Sequence, residues 1–185
     1  MSRLTRPKLL WNWRDGLRGL LIYASGDSIA AWIGGEFRTS RLLGMMLIGG
    51  TVYAIEIPHY FRWIDRLAPQ RESFAANWFR TGLALLYFNP LWIARHLLFI
   101  RLCAGQWQAV DWGLLHLGAL SFAANIPFSL IANYLIQNHL SMRWRFIGSA
   151  VFSALMAVYY PLSEGWLART AAGPCAKRLI EVIRG

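Results

Sequence analysis

The feature that most constrains this chain is a series of long apolar blocks that hold few charges. Five blocks can be drawn, at roughly 17–35, 42–61, 79–100, 112–138 and 146–163. A membrane-crossing helix needs about 20 apolar residues, because the hydrocarbon core of a bilayer is about 30 Å thick. The blocks therefore predict an all-α, polytopic transmembrane helix bundle with four to five membrane segments, one of them broken by proline.

Composition supports a membrane class and argues against a soluble domain. Of the 185 residues, 56% are apolar and 15% are charged, whereas soluble domains carry about 25% charged residues. We expect a single integral membrane domain over 1–185, with a basic N-terminal flank at 1–16 and a basic C-terminal tail at 164–185. Membrane lipids are the expected partners, and bound lipids are expected in place of a cofactor.

The net charge of +10 is distributed as flanks of the apolar blocks. Nucleic-acid binding is not expected, since the bases form no dense or aromatic-interleaved patch. Five bases precede residue 19 and four lie between Arg62 and Arg80, and such clusters mark the cytoplasmic or matrix side. The expected location is a bacterial inner membrane, or alternatively the mitochondrial inner membrane.

The fourth block is longer than one span and contains Pro127. Proline frees backbone groups that must find other partners in lipid, so the block is either a kinked long helix or a short span joined to a re-entrant piece. Four crossings, with the C-terminal tail beside the N-terminus, place most bases on one side.

Polar side chains inside the blocks are the candidate functional residues, because such groups are costly in lipid and often mark a polar path. They are Asp27, Glu56, Arg80, Asn89, Arg95, Asn125 and Asn133. Depth along antiparallel helices predicts that Asp27 meets Asn89 and the backbone freed by Pro90. The same argument pairs Glu56 with Arg80 and leaves Arg95 out of reach. These groups either satisfy one another structurally or line a polar path.

Small residues at every fourth position predict close helix contacts, since packing drives helix association in lipid. One stripe lies in the first block and the other in the fifth; they are Gly26, Ala30 and Gly34, and Ser149, Ser153 and Ala157. We expect the first and fifth blocks to be inner helices.

No catalytic motif is present, whether a phosphate-binding loop, a dinucleotide glycine fingerprint, HExxH or a nucleophile elbow. We therefore expect no enzyme, with lipid chemistry a distant alternative. No metal site is expected; His116 is the best-placed candidate ligand for haem or a chlorin, yet a packed or headgroup-facing histidine is the favoured interpretation. The other histidines, His59, His96 and His139, lie near block ends and are expected at the interface.

Several short motifs resemble the Mpv/peroxisomal-membrane-protein family of small four-span membrane proteins. The family's first-span Gly-Asp pair is matched by Gly26-Asp27. Its next motif runs from an Arg through a Gly and an aromatic pair to an acid, and it is matched without a gap by Arg41, Gly49, Tyr60-Phe61 and Asp65. The family's later motifs resemble Arg80 with the "YFNP" of residues 87–90, and Pro127 with the "ANY" of residues 132–134.

The chain departs from the family pattern at Ala31, Ala54-Ile55, Ala84-Leu85 and Ile126. The resemblance implies a non-enzymatic, pore-like or homeostasis protein that passes small solutes or ions. The alternative is a lipid-embedded accessory subunit of a larger bioenergetic or photosynthetic complex, with other membrane subunits as partners. A pore requires a polar lumen in the isolated chain, whereas a subunit buries its small-residue stripes against other chains.

Overall fold

The computed structural model describes residues 11–69 and 73–170, with side chains as far as residue 159, and its regular structure in this part is entirely helical. The α-helices in chain order are α1 Trp13–Ile33, α2 Thr39–Ile48, α3 Ala54–Leu67, α4 Phe74–Tyr87, α5 Pro90–Cys103, α6 Gly113–His139 and α7 Met142–Thr170. The predicted all-α class is confirmed. Most of the C-terminal tail lies outside the described residues.

Helix boundaries follow from local chemistry. The side chains of Asn12, Ser73 and Asn89 accept hydrogen bonds from backbone N–H groups in the first turns of α1, α4 and α5, as N-cap residues do. Pro90 occupies the first turn of α5, where its missing N–H costs nothing. The helices α4 and α5 meet there at a bend of 41°.

A π-helical turn, Gly49–Tyr53, joins α2 to α3 without interrupting the helical path. The combined segment Thr39–Leu67 is 29 residues long and apolar enough to cross a membrane, as is α6 with 27 residues. The bent pair α4 and α5 together would make a third span. The described residues thus contain two or three candidate spans, fewer than the four to five that the sequence predicts.

The fourth apolar block forms one continuous helix, α6, through Pro127. The re-entrant alternative is therefore wrong. Proline removes one hydrogen bond of the helix ladder, and Pro127 is exposed on the outer face of α6, so the ring meets no neighbouring helix. The strong break lies instead at Asn89-Pro90, between α4 and α5.

The helix α1 is central, and it packs most extensively against α7 and against the α2–α3 segment. Arg18 reaches Trp144 near the start of α7, and Gly26 faces Ala154 further along, so α1 and α7 run parallel. The fully buried core beside α1 is supplied mainly by the α2–α3 segment; its largest apolar side chains are Met45, Tyr53, Ile57, Phe61 and Ile64.

Candidate functional site

The most buried charged contact in the described residues joins Asp27 on α1 to Arg41 on α2. The Arg41 Nε donates to Asp27 Oδ2 at 2.8 Å and its Nη2 donates to Oδ1 at 2.7 Å. The side chains are 4% and 11% exposed, respectively. Two parallel charge-assisted hydrogen bonds of this kind fix geometry as well as charge.

A short turn between α1 and α2 places Asp27 and Arg41 side by side on the two helices. Gly34 ends α1, Gly35 adopts a φ of +72°, and α2 begins at Thr39. Arg41 therefore lies in the first turn of α2, beside the last two turns of α1. The prediction that Asn89 is the partner of Asp27 is wrong, because α1 starts at Trp13 and places Asp27 nearer its C-terminal end than the block limits implied.

A second ion pair joins α3 to α5. Arg95 Nη2 lies 2.9 Å from Glu56 Oε2 and donates to Oε1 at 3.0 Å. Both side chains are about one-third exposed, at 31% for Glu56 and 35% for Arg95. The predicted pairing of Glu56 with Arg80 is wrong. The bend at Asn89-Pro90 redirects α5, and this carries Arg95 to Glu56.

Tyr53 and His96 lie between the two ion pairs. The Tyr53 Oη and the His96 Nδ1 share a hydrogen bond of 2.7 Å. The Trp92 ring stacks on His96 with centroids 5.5 Å apart, and the Tyr23 ring lies 4.7 Å from that of Tyr53. His96 is thus packed among aromatic side chains, and α5 extends seven residues beyond it to Cys103. Its predicted position at the membrane interface stays a prediction.

These contacts define a central polar cluster of six residues: Asp27, Arg41, Tyr53, Glu56, Arg95 and His96. Tyr23, which lies four positions before Asp27 on α1, connects the two pairs, because its ring centroid is 4.7 Å from that of Tyr53 and 6.5 Å from that of His96. The cluster contains two acids and two bases, so its formal charge is balanced. It links α1, α2, α3 and α5 in the interior of the bundle.

Polar residues also connect the helices near the C-terminal end of α6. Arg145 on α7 donates to Asp65 on α3 at 2.6 Å, and Asn138 Nδ2 lies 3.3 Å from both Asn77 O and Thr81 Oγ1 on α4. This group is separate from the central polar cluster. It provides a second set of polar contacts between helices.

The remaining predicted polar residues serve individual helices or connections. Asn89 accepts from Trp92 N and donates to Leu86 O, so it caps α5. Arg80 donates to Asn77 Oδ1 and to Pro69 O at the α3–α4 connection. Asn133 donates to Ser129 O within α6, where Asn125 is also buried. None of the four joins the central polar cluster.

The small residues of α1 meet neighbouring helices closely over part of the predicted stripe. A Cβ added at Gly26 would lie 2.5 Å from the Ala154 Cβ of α7, and Ala30 is buried. Gly34 is instead the exposed C-cap of α1. A Cβ at Gly49 would lie 2.6 Å from Gly19 O, so the close contact extends toward the start of α1.

On α7, Ser149 is buried and Ser153 and Ala157 are half-buried. The residue that faces Gly26 is Ala154, one position beyond Ser153. Both predicted small-residue segments thus lie at or beside an interface within the chain.

The candidate haem or chlorin ligand, His116, lies apart from the central polar cluster. His116 is exposed in the first turns of α6, and no group of three or more His, Cys, Asp or Glu side chains is close enough to hold a metal ion in that part of the chain. The two main cavities found there are apolar surface grooves, one near the start of α1 and one between α4 and α6.

No protein-family model, curated protein or solved structure matches the chain. The Mpv-type resemblance therefore rests on its motifs, several of which coincide with contacts between helices. Asp27 and Arg41, which come from two separate motifs, pair with each other, and Asp65 pairs with Arg145. Gly49 lies against the backbone of α1.

Sequence reasoning missed Tyr53, His96 and the pairing role of Arg41. A usable signal existed for Arg41, because Asp27 lies seven positions before Gly34 and Arg41 lies six positions after Gly35. Two helices joined by a short turn at Gly34-Gly35 would place these two residues side by side. The Tyr53–His96 contact had no comparable signal. It depends on the π-helical turn and on the bend at Asn89-Pro90.

Proposed function

We propose that the chain is a non-enzymatic integral membrane protein of the Mpv type, whose central polar cluster forms the closed part of a path for small solutes or ions. The observation that carries the proposal is the set of charged and titratable side chains gathered from α1, α2, α3 and α5, which runs from the buried Asp27–Arg41 pair to the partly exposed Glu56–Arg95 pair. Charged residues in membrane segments are costly and commonly mark such paths.

The geometry supports a closed state. Both acids of the cluster are neutralised by arginines at 2.7–2.9 Å, and the aromatic rings of Tyr23, Trp92 and Tyr53 fill the space between them. Opening then requires the pairs to separate or the rings to move. The Glu56–Arg95 pair, with each side chain about one-third exposed, is the easier of the two to open, because the protein encloses it less.

An accessory subunit of a larger complex is the alternative. It requires the small-residue stripes to face other chains, whereas Gly26 of the first stripe makes its close contact with Ala154 on α7 of the same chain. The self-contained packing favours a protein that functions by itself. We propose the bacterial inner membrane as its location, with the mitochondrial inner membrane as the alternative.

Reconstituted vesicles test the proposal. The purified full chain is placed in liposomes, proton flux is followed with an internal pH-sensitive dye, and potassium chloride flux is followed by light scattering. Asp27→Asn and Glu56→Gln remove charges from the cluster, and we expect each to change at least one flux severalfold while the protein remains folded.

Asp65→Asn is the matched control. It also removes the acid of an ion pair between helices, at 2.6 Å from Arg145, yet lies outside the central polar cluster, so its fluxes should equal those of the unmodified chain. If all variants behave as empty liposomes do, the path is excluded. Stoichiometric co-purification with other membrane proteins would then favour the accessory-subunit alternative.

A further inference from the structure

An apolar groove of about 400 Å³ opens on the outer surface where α1 begins. It lies between the first turns of α1 and the second half of α2, and its walls include Trp11, Trp13, Leu17, Leu20, Met46 and Leu47. Trp11, Trp13, Leu17 and Leu47 are exposed despite their size. The groove therefore presents a concave apolar surface that the described residues leave uncovered.

Two glycines deepen the groove and contact the tryptophan that forms one of its walls. Gly16 and Gly50 both line it, and a Cβ added at Gly16 would lie 2.7 Å from the Trp11 ring. The Trp11 indole N–H donates to Gly50 O at 3.0 Å. This hydrogen bond fixes the orientation of the Trp11 indole. The ring remains available to an apolar ligand.

Beside Trp13, which forms part of the groove wall, lies a cation that has no acidic partner among the described residues. Arg14 is exposed, its guanidinium lies 5.5 Å from the centroid of the Trp13 ring, and it forms no ion pair in the described part of the chain. Arg14 and Leu17 are three positions apart and so are neighbours on the helix surface. The positive end of the α1 dipole also favours an anion at this point, and the acid in the same turn, Asp15, is paired with Arg18.

Two further arginines lie against Trp144 of α7, outside the residues that line the groove. Arg18 lies 5.8 Å from the Trp144 ring centroid and makes only a long contact, 3.4 Å, to Asp15. Arg143 lies 5.9 Å from the same ring. Tryptophan and arginine together are typical of the membrane–water interface, where lipid headgroups lie.

We propose that this groove binds an anionic phospholipid, with one acyl chain along the apolar walls and the phosphate beside Arg14. An unpaired arginine at the edge of an apolar groove complements both parts of such a molecule. The site goes beyond the proposed conduction, because it lies on the lipid-facing surface and uses none of the residues of the central polar cluster.

Native mass spectrometry of the full chain tests the site. The protein is purified in mild detergent and mixed with equal amounts of phosphatidylglycerol and phosphatidylcholine. We expect one phosphatidylglycerol to be retained in preference to phosphatidylcholine. Arg14→Gln should weaken this retention about fivefold, the effect of one basic residue near an anionic surface. Arg66→Gln, which removes an exposed arginine on α3 outside the groove, should leave it unchanged.

A second pair of variants tests the acyl-chain part. Leu17→Trp adds bulk inside the groove, whereas Leu21→Trp adds the same bulk one turn away, at an exposed position outside it. We expect retention of phosphatidylglycerol to fall at least about fivefold for the first and to stay unchanged for the second. Circular dichroism checks that each variant keeps its helical content.

Equal retention of the two lipids would overturn the proposal, as would equal effects of Arg14→Gln and Arg66→Gln. A change of oligomeric state with Leu17→Trp, at unchanged lipid retention, would show that a second copy of the chain occupies the groove. Because Arg14→Gln alters an exposed side chain, that comparison remains decisive even if Leu17→Trp fails to fold. Vesicle flux is not a readout of this test, so its outcome is independent of the proposed conduction.

Discussion

The contact of α1 with α2 and the contact of α3 with α5 each contain an ion pair, but their surroundings differ. Asp27 and Arg41 are almost fully buried and joined by two hydrogen bonds. Glu56 and Arg95 are each about one-third exposed. Around α1 the backbones approach closely at Gly19 and Gly49, whereas aromatic rings fill the space beside α3.

The difference in burial between the two ion pairs indicates that the two helix contacts have different mechanical roles. A buried pair cannot lose one partner without leaving an uncompensated charge, and close backbone contacts leave little room for sliding. An exposed pair can exchange its partner for water at small cost. The α1–α2 contact is thus suited to hold the bundle together, and the α3–α5 contact is suited to move.

The largest expected effect comes from removing each acid in turn. Asp27→Leu leaves Arg41 buried and unpaired, and should lower the free energy of unfolding by about 3–5 kcal/mol. Glu56→Leu leaves Arg95 partly hydrated, and should cost about 1 kcal/mol or less. Denaturant unfolding in detergent micelles measures both. Asp27→Asn, which keeps hydrogen-bonding capacity, should lie between them, and equal losses for the two leucine variants would contradict the assignment of different roles.

An intermediate effect is expected from closing the space between backbones. Gly26→Ala places a methyl group against Ala154 and should destabilise the chain by about 1–3 kcal/mol, as overpacking does. Gly82→Ala in α4, where nothing lies within 4 Å of the added methyl, should instead stabilise by about 0.5–1 kcal/mol. Adding Ala154→Gly to Gly26→Ala should restore most of the loss. Thermal unfolding that fails to separate the two alanine variants would show that α1 and α7 are not closely packed.

The smallest expected effect is that of ionic strength on the stability lost when each ion pair is removed. Raising the ionic strength screens exposed pairs and hardly affects buried ones. The stability lost by Glu56→Gln should therefore shrink by a few tenths of a kcal/mol at high salt, while the loss caused by Asp27→Asn stays constant. Parallel unfolding curves at low and high salt provide the measurement. Identical salt dependence for the two variants would argue that water reaches both pairs alike.

The helical elements were largely predictable, because apolar blocks and cap residues are local signals. The fourth block became α6, and Asn89-Pro90 became the start of α5. The side-chain partners were less predictable. Matching residues by depth assumes straight helices of known limits, whereas α1 begins before its apolar block and the α4–α5 unit bends by 41°. Those two departures account for the wrong partners assigned to Asp27 and Glu56.

The orientation of α3 about its own axis could likewise not be predicted from the sequence. The π-helical turn Gly49–Tyr53 contains hydrogen bonds of a longer register than an α-helix, so residues after it point in directions that a constant 3.6-residue period does not give. Tyr53 reaches His96 from the end of this turn. The pattern of apolar residues does not reveal a helix whose number of residues per turn changes along its length.

The break at Asn89-Pro90 also limits how α4 and α5 could cross a bilayer. Each of α4 and α5 contains 14 residues, which correspond to about 21 Å of helix. Neither half matches a hydrocarbon thickness of about 30 Å. The insertion machinery would therefore have to accept α4 and α5 together, as one bent segment. After the synthesis of α4 alone, the nascent chain would offer a segment too short to be released into lipid.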